Sequence, residues 1–98
     1  MSNDEQILSL IPKGKKNGIK MSEIEALLGY NRRQITDCIS RLRRQGVIIC
    51  SSVYLGGYYK PDNREELEEW LKIEKKRIKT HREALKPAKK VLENWAEV

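Results

Sequence analysis

The 98-residue sequence contains no phenylalanine, two cysteines and one histidine. A core must therefore come from Ile, Leu and Val with a few Tyr and Trp side chains. A structural zinc site needs four closely spaced ligands, which Cys38, Cys50 and His81 cannot supply. No apolar run approaches the ~18 residues of a membrane span, and no signal-peptide pattern opens the chain. We therefore expect no metal or other cofactor, no membrane contact and a reducing cytoplasm for the two unpaired thiols.

The chain also lacks the side-chain groupings that catalysis requires. General acid–base or nucleophilic chemistry needs paired reactive groups in a pocket. We find no nucleophile elbow and no phosphate-binding loop in the sequence. We expect the protein not to be an enzyme, and the sequence gives no sign of a small-molecule ligand.

Positive charge is concentrated in the first two thirds of the chain. The formal net charge is +6. Between Lys13 and Lys60 there are ten Lys and Arg residues against three acids, whereas ten basic residues face nine acids from Pro61 onward. A polyanion is the expected partner of such a basic segment, because binding releases condensed counterions from phosphates.

Capping patterns predict three helices before residue 47. The first covers residues 4–11. The second begins at a Ser-x-x-Glu capping box, residues 22–25, and ends at Gly29. The third begins at an Asn-x-x-Gln box, residues 31–34, and ends at Gly46. Two capped helices joined by a short turn that contains glycine are typical of a helix-turn-helix.

Short strands are predicted after the third helix. Val47 to Cys50 and Tyr58 to Lys60 have the composition of strands, and residues 51–57 between them would form the loop of a hairpin, or wing. Ile19 and Lys20 could add a brief extended bridge.

A long helix is predicted from the capping box at residues 63–66 to the end of the chain. Its apolar residues recur every seven positions, as in a coiled coil, although Glu74 and His81 interrupt the pattern. Pro87 should kink or split the helix. We define the dimer seam, the expected interface of a homodimer, as Leu71, Ile78, Leu85, Leu92 and Trp95. The alternative is that this helix folds back onto the wing and the first helix.

The third helix carries the candidate DNA-binding residues. With Ile35, Ile39 and Leu42 facing inward, its outward surface is rich in arginine and short polar residues. The predicted contacts from this helix are Asn31, Arg32, Arg33, Thr36, Asp37, Ser40, Arg41, Arg43 and Arg44. Arginine forks match the acceptor atoms of guanine in the major groove. For Asp37 we favour an ion pair with Arg33 or Arg41 over a base contact. The alternative is a solvated helix surface with no ligand.

The predicted hairpin supplies further candidates. Hydroxyl and ammonium groups beside a DNA groove suit phosphates and the minor-groove edge. The residues in question are Ser51, Ser52, Tyr54 and Lys60.

Three passages resemble a known protein family: IPKGKKNGIK before the second helix, RLRRQGVIICSS from the third helix into the strand, and GGYYKP before the acidic start of the last helix. Over about residues 5–75 the chain resembles the winged helix-turn-helix DNA-binding proteins, most closely the small ones of Gram-positive phages and mobile elements. The resemblance implies a three-helix core, a β-wing and a recognition helix at residues 32–45. Proteins of this type act as repressors, activators and replication-origin binders.

Together these patterns predict a mainly α fold with a small β-hairpin, in the α+β class. A winged helix-turn-helix would occupy residues 1–62 and a dimerising helix residues 63–98. The expected function is sequence-specific binding of double-stranded DNA by a transcriptional regulator, with helix 32–45 in the major groove and wing 51–57 on the backbone or minor groove. The alternatives are a replication-origin binder and a protein-interaction module. The expected location is the cytoplasm of a bacterial host cell, at the nucleoid when bound.

Overall fold

Four helices and three short strands make up the part of the chain that the computed structural model describes, residues 2–52 and 57–95. The helices are α1 (Asn3–Leu10), α2 (Met21–Leu28), α3 (Arg32–Arg44) and α4 (Arg64–Trp95). The strands are β1 (Ile19–Lys20), β2 (Cys50–Ser52) and β3 (Gly57–Tyr59). A 3-10 turn occupies Lys15–Asn17. The predicted mainly helical α+β class is confirmed.

The strands form one antiparallel sheet in the order β1-β3-β2. Ile19 lies opposite Tyr58, and Cys50 lies opposite Tyr59. The expected hairpin and the expected extended pair at residues 19–20 are both present. The sequence predicts that the first hairpin strand begins at Val47. In the structure it begins at Cys50.

The late start of β2 follows from the way α3 ends. Gly46 has a φ of 96°, in the left-handed region, and the Val47 N–H donates to the Leu42 carbonyl at 3.0 Å. This is the bond that closes a Schellman-type helix end. Val47 therefore caps the helix and is not available to a strand.

The start of α2 also differs from the prediction. The helix begins at Met21, and the Lys20 N–H donates to the Glu23 carboxylate at 3.4 Å, so the predicted box at Ser22 is wrong. Lys20 pairs with Gly57 in the sheet, and this pairing holds it in the extended conformation of an N-cap residue. Gly29 ends the helix with a φ of 71°, as expected.

The core lies between α1, α2, α3 and the sheet. Ile7, Ile24, Ile35 and Ile49 are buried to within 1% of full burial. Each such side chain contributes about 1.5–3 kcal/mol relative to exposure. Ile39 and Leu42 are buried beside Ile35, which confirms the predicted inward side of α3.

Helix α4 runs without a break for 32 residues, so the expected split near Pro87 is wrong. Proline removes one backbone donor and frees the carbonyl of Glu83 four residues earlier. Residues 75–95 are all exposed, so water can hydrate that carbonyl. A helix of this length spans about 48 Å, and the molecule measures 54 × 31 × 24 Å. No described helix has the length and apolar character that a bilayer crossing requires.

Within residues 2–52 and 57–95, the contacts of α4 with the rest of the chain come from its first turns. The Glu66 carboxylate accepts from the Asp62 N–H at 3.0 Å and from the Lys15 N–H at 3.2 Å. The Lys15 ammonium lies 2.8 Å from the Glu69 carboxylate. Asn63 accepts from the Glu66 N–H at 2.9 Å, which is one of the two bonds of the predicted capping box. The return bond goes to the Asp62 N–H and not to the Asn63 N–H. A complete fold-back of α4 is therefore not observed in the described part of the chain.

Candidate nucleic-acid interface

The turn between α2 and α3 is held in place by α1. Its residues are Gly29, Tyr30 and Asn31. The Tyr30 hydroxyl donates to the Asn3 side chain at 2.8 Å and also contacts the Gln6 side-chain oxygen. This anchor sets the position of the first turn of α3.

The predicted capping box of α3 is confirmed by both of its hydrogen bonds. The Gln34 N–H donates to Asn31 Oδ1 at 2.8 Å, and the Asn31 N–H donates to Gln34 Oε1 at 2.9 Å. Asn31 and Arg32 are exposed at this end of the helix. The Arg32 Nε lies 3.8 Å from the Glu25 carboxylate, and its side chain remains 78% exposed.

Arg33, Asp37, Ser40 and Arg44 form a line along the outer side of α3, which we call the outer row. The spacing of four, three and four residues keeps them within an arc of about 60°. All four are exposed, on the side opposite the buried Ile35. Asp37, Ser40 and Arg44, with part of Arg43, also line a shallow surface depression.

Neither arginine of the outer row has a partner within residues 2–52 and 57–95. The guanidinium groups of Arg33 and Arg44 form no ion pair or hydrogen bond with the described residues. The same holds for Asp37, so the ion pair favoured from the sequence is not formed. Thr36 is exposed, and its hydroxyl donates to the carbonyls of Arg32 and Arg33 at 3.0 Å each.

Arg41 fastens α3 to α1. Its Nε and Nη2 donate to the two Asp4 oxygens at 3.2 and 3.0 Å, and Nη2 also lies 3.1 Å from Cys38 Sγ. The Arg41 hydrogen bonds hold the pKa of the Asp4 carboxyl below its usual value and raise the pKa of Arg41. Burial raises the pKa of the Cys38 thiol. Arg41 therefore already forms a bidentate ion pair with Asp4, at a position where the sequence suggests a DNA contact.

Arg43 requires a correction, because the sequence places it on the outward side of α3. Its Nε donates to the Ile49 carbonyl at 2.9 Å, and its guanidinium lies 5.3 Å from the Trp70 ring centroid. Its Nη2 is buried without a hydrogen-bond partner among the described residues. Arg43 thus turns toward β2 and α4, where an arginine on the edge of the buried side can reach both.

The hairpin residues are divided between two surroundings. Ser51 and Ser52 are half-buried in a cleft beside Trp70 and Ile73 of α4. Lys60 is half-buried, and its N–H donates to the Pro12 carbonyl at 2.8 Å. Tyr54 lies outside the described residues. The structure thus brings Ser51 and Ser52 toward α4, which the sequence does not suggest.

The dimer seam is exposed along α4. The exposed fractions are 40% for Leu71, 56% for Ile78, 41% for Leu85, 73% for Leu92 and 70% for Trp95. These are large values for apolar side chains, so the seam has no intramolecular cover in the described part of the chain.

Comparison with protein families, characterised proteins and solved structures finds no match to this chain. The described residues also contain no group of three or more His, Cys, Asp or Glu side chains that could hold a metal ion. The candidate interface is therefore defined by the outer row and its surroundings alone.

Sequence reasoning missed the intramolecular bonds of Arg41 and Arg43. Asp4 and Arg41 are 37 residues apart in the chain, and no local pattern pairs them. The available signal is their place on the helix: both arginines lie at the edges of the buried side, where a long side chain can turn inward or outward.

Proposed function

We propose that this chain is a winged helix-turn-helix protein that binds double-stranded DNA sequence-specifically, with α3 in the major groove. The observation that carries this proposal is the outer row. It presents two arginines without protein partners at the ends of one exposed line, with a serine and an aspartate between them. Arg33 and Arg44 are eleven residues apart, about 17 Å along the helix axis. That length corresponds to about five base pairs at 3.4 Å each.

The chemistry of the outer row fits base edges in the major groove. An arginine fork can bind the O6 and N7 acceptors of guanine, and an aspartate can accept from the cytosine amino group. The groove is about 12 Å wide and admits one α-helix. The buried side of α3 fixes which residues face outward, so the row is presented by a rigid support.

The order of elements supports the winged-helix proposal. Helix, strand, two helices and two strands follow one another from α1 to β3. This order agrees with the three-helix core and β-wing that the sequence resemblance implies. We assign the wing, residues 51–57, and Lys60 to the DNA backbone or the minor groove. Because Ser51 and Ser52 lie against α4, Lys60 is the stronger candidate for a phosphate contact.

Within this proposal the protein is a transcriptional regulator of phage or mobile-element type that acts in the bacterial cytoplasm. A homodimer through the dimer seam would cover the exposed side chains of α4. Two recognition helices would then read half-sites about one helical turn apart, ~10 bp or a multiple of it. Sedimentation of the full chain tests the dimer, with a Leu85→Glu/Leu92→Glu variant expected to be monomeric. A wild-type chain that is already monomeric at high concentration would rule the dimer out.

Fluorescence anisotropy on duplexes selected from a random pool tests DNA binding. Arg33→Ala should weaken binding by about 1–3 kcal/mol and relax the choice at one base position. Lys60→Ala should weaken binding to all duplexes alike. Arg64→Ala is the matched control, because Arg64 is 89% exposed at the start of α4 and, among the described residues, has Glu68 as its ion-pair partner.

The outcome also separates the alternatives. A DNA-binding protein gives a steep negative slope of log affinity against log salt. A winged-helix module that docks on other proteins gives almost no binding to any duplex. A replication-origin binder gives the same affinities as a regulator, and a footprint on the element's own genome would locate its site outside promoters.

A further inference from the structure

Helix α4 carries a regular row of cations that the proposed recognition helix does not use. Basic side chains occur at alternating intervals of three and four residues over residues 72–89. We define this basic stripe as Lys72, Lys75, Lys79, Arg82, Lys86 and Lys89. The spacing places all six within an arc of about 100° over a length of about 26 Å.

The basic stripe has no ion-pair partner within residues 2–52 and 57–95. No acid lies inside its 100° arc between residues 72 and 89, although Glu83 borders the arc, and Glu68 and Glu93 lie on the same side one turn before Lys72 and one turn after Lys89. All six cations are exposed. None of them forms an ion pair or a side-chain hydrogen bond with the described residues. Beyond the first turns of α4, the ion pair found among the described residues joins Arg77 to Glu74. Like charges three and four residues apart on one side of a helix destabilise it slightly, and a bound anion would relieve this repulsion.

The basic stripe points away from the rest of the domain. Among the described residues, α4 faces the domain through Glu66, Glu69, Trp70, Ile73 and Glu74. These residues lie within an arc of about 140° whose centre is opposite the centre of the stripe. A large ligand can therefore approach the stripe without meeting the domain.

We propose that the basic stripe binds the phosphodiester backbone of duplex DNA as a second, sequence-independent contact surface. The identity of the polyanion rests on the proposed function, whereas the preference for an anionic ligand follows from the stripe itself. Duplex DNA offers one negative charge per about 1.7 Å of axis, so a 26 Å row of cations can meet several phosphates. Lysine ammonium groups suit such contacts, since they bind phosphates as point charges without reading bases.

An anionic membrane is the other surface that a basic amphipathic helix can bind. Such a helix inserts its apolar side. Leu92 and Trp95 lie within about 40° of Trp70 on the helix, so a flat bilayer against them would meet the domain. Ile78 and Leu85 instead border the stripe and line one depression with Arg82 and Lys89. We commit to duplex DNA because the proposed function supplies it, and the vesicle experiment below tests the bilayer.

The test compares two double variants of α4 that remove the same charge. Lys79→Gln/Lys86→Gln removes two cations of the stripe. Arg64→Gln/Arg77→Gln removes two cations that do not belong to it: Arg64 lies before residue 72, and Arg77 lies on another side of the helix. Glutamine keeps the helix propensity of the exposed positions, and far-ultraviolet circular dichroism checks this. Affinity for a random-sequence duplex is measured by anisotropy across a salt series.

The stripe variant should reduce the slope of log affinity against log salt by up to about 1.8, from about 0.9 for each phosphate contact. If the two lines meet at 1 M salt, this is roughly 60-fold weaker binding at 0.1 M. The control double variant should keep the wild-type slope. Equal slopes for the two double variants would overturn the proposal.

Comparison of the stripe variant with Arg33→Ala distinguishes failure of the stripe proposal from failure of the proposed function. If Arg33→Ala weakens selective binding while the stripe variant matches wild type, the stripe proposal fails and the proposed function stands. If the stripe variant loses affinity while Arg33→Ala matches wild type on every duplex, the stripe proposal stands and recognition by α3 fails. Sedimentation with phosphatidylserine vesicles tests the membrane: capture of wild type, lost in the stripe variant with DNA binding intact, overturns the proposal in favour of a bilayer.

Discussion

Replacement of Arg43 by alanine should destabilise the fold and leave binding to a short duplex, one that covers α3 alone, nearly unchanged. In the structure the guanidinium joins α3 to two other elements, through the Ile49 carbonyl at 2.9 Å and the Trp70 ring at 5.3 Å. Its neighbour Arg44 is exposed and has no partner among the described residues. Two adjacent arginines in one helix are therefore expected to give opposite phenotypes.

The size of the effect follows from three contributions. A hydrogen bond from a charged donor contributes about 1.5–3 kcal/mol, and a cation–π contact adds about 0.5–1 kcal/mol. Against this, the buried Nη2 atom without a partner costs about 1–3 kcal/mol in the wild type, and this cost disappears with the side chain. The expected net loss on Arg43→Ala is about 1 kcal/mol. For a domain of this size that lowers Tm by about 4–8 °C per kcal/mol.

Urea unfolding followed by far-ultraviolet circular dichroism measures the stability, and anisotropy on random duplex at low temperature measures binding by the folded protein. Arg44→Ala is the matched control. It should keep the free energy of unfolding within about 0.5 kcal/mol and weaken DNA binding. An Arg43→Ala protein with wild-type stability and the DNA-binding loss of Arg44→Ala would refute the inward role of Arg43.

Three further predictions concern the scaffold. Gly57→Ala should lower the free energy of unfolding by about 1–3 kcal/mol, because a Cβ there would lie 2.9 Å from the Gly18 carbonyl carbon. Gly18→Ala is the control, since its Cβ would meet no atom closer than 3.4 Å. Equal losses of stability in urea unfolding would contradict the close approach. Because Arg41 holds the pKa of Asp4 below its usual 3.8, the stability from this pair is complete above that pH and is lost as the pH falls through the lower folded-state pKa. Asp4→Asn should therefore lower Tm at neutral pH and match wild type in strong acid, and a pH-independent difference in Tm would speak against it. Burial raises the pKa of the Cys50 thiol to about 11. A disulfide reagent at neutral pH should therefore modify Cys50 only as fast as the protein unfolds. Modification within the mixing time would show that the thiol is accessible in the folded protein.

Local signals predict much of the fold because they act over a few residues. The Asn31–Gln34 box and Gly46 fix both ends of α3, since caps satisfy backbone groups that no other part of the chain can reach. The same logic fails at Ser22. Its Ser-x-x-Glu pattern is present, but the strand pairing of Lys20 with Gly57 starts the helix two residues earlier.

The candidate site is less predictable. Helical periodicity tells whether a side chain faces the core or the solvent only when its position lies near the centre of the buried side or of the exposed side of the helix. Arg33 lies opposite Ile35 and Ile39, and its exposure follows from the pattern. Arg41 and Arg43 lie on the two edges of the buried side, where the outcome depends on which side chain another element places nearby. Asp4 from α1 and Trp70 from α4 decide those two positions, and the three-dimensional packing that brings them there has no local signature.

The inward arginines also bear on how the two proposed DNA surfaces cooperate. The outer row lies on α3 and the basic stripe on α4, and the contact of Arg43 with Trp70 is a direct link between these helices. If both surfaces hold one duplex, each gains from the fixed position of the other, because a rigid link spares the entropy of ordering two separate elements. Loss of the link should then weaken a long duplex that reaches both surfaces more than a short one that covers α3 alone. The modest DNA effect expected for Arg43→Ala should accordingly grow with duplex length, whereas the loss caused by Arg44→Ala should appear at every length.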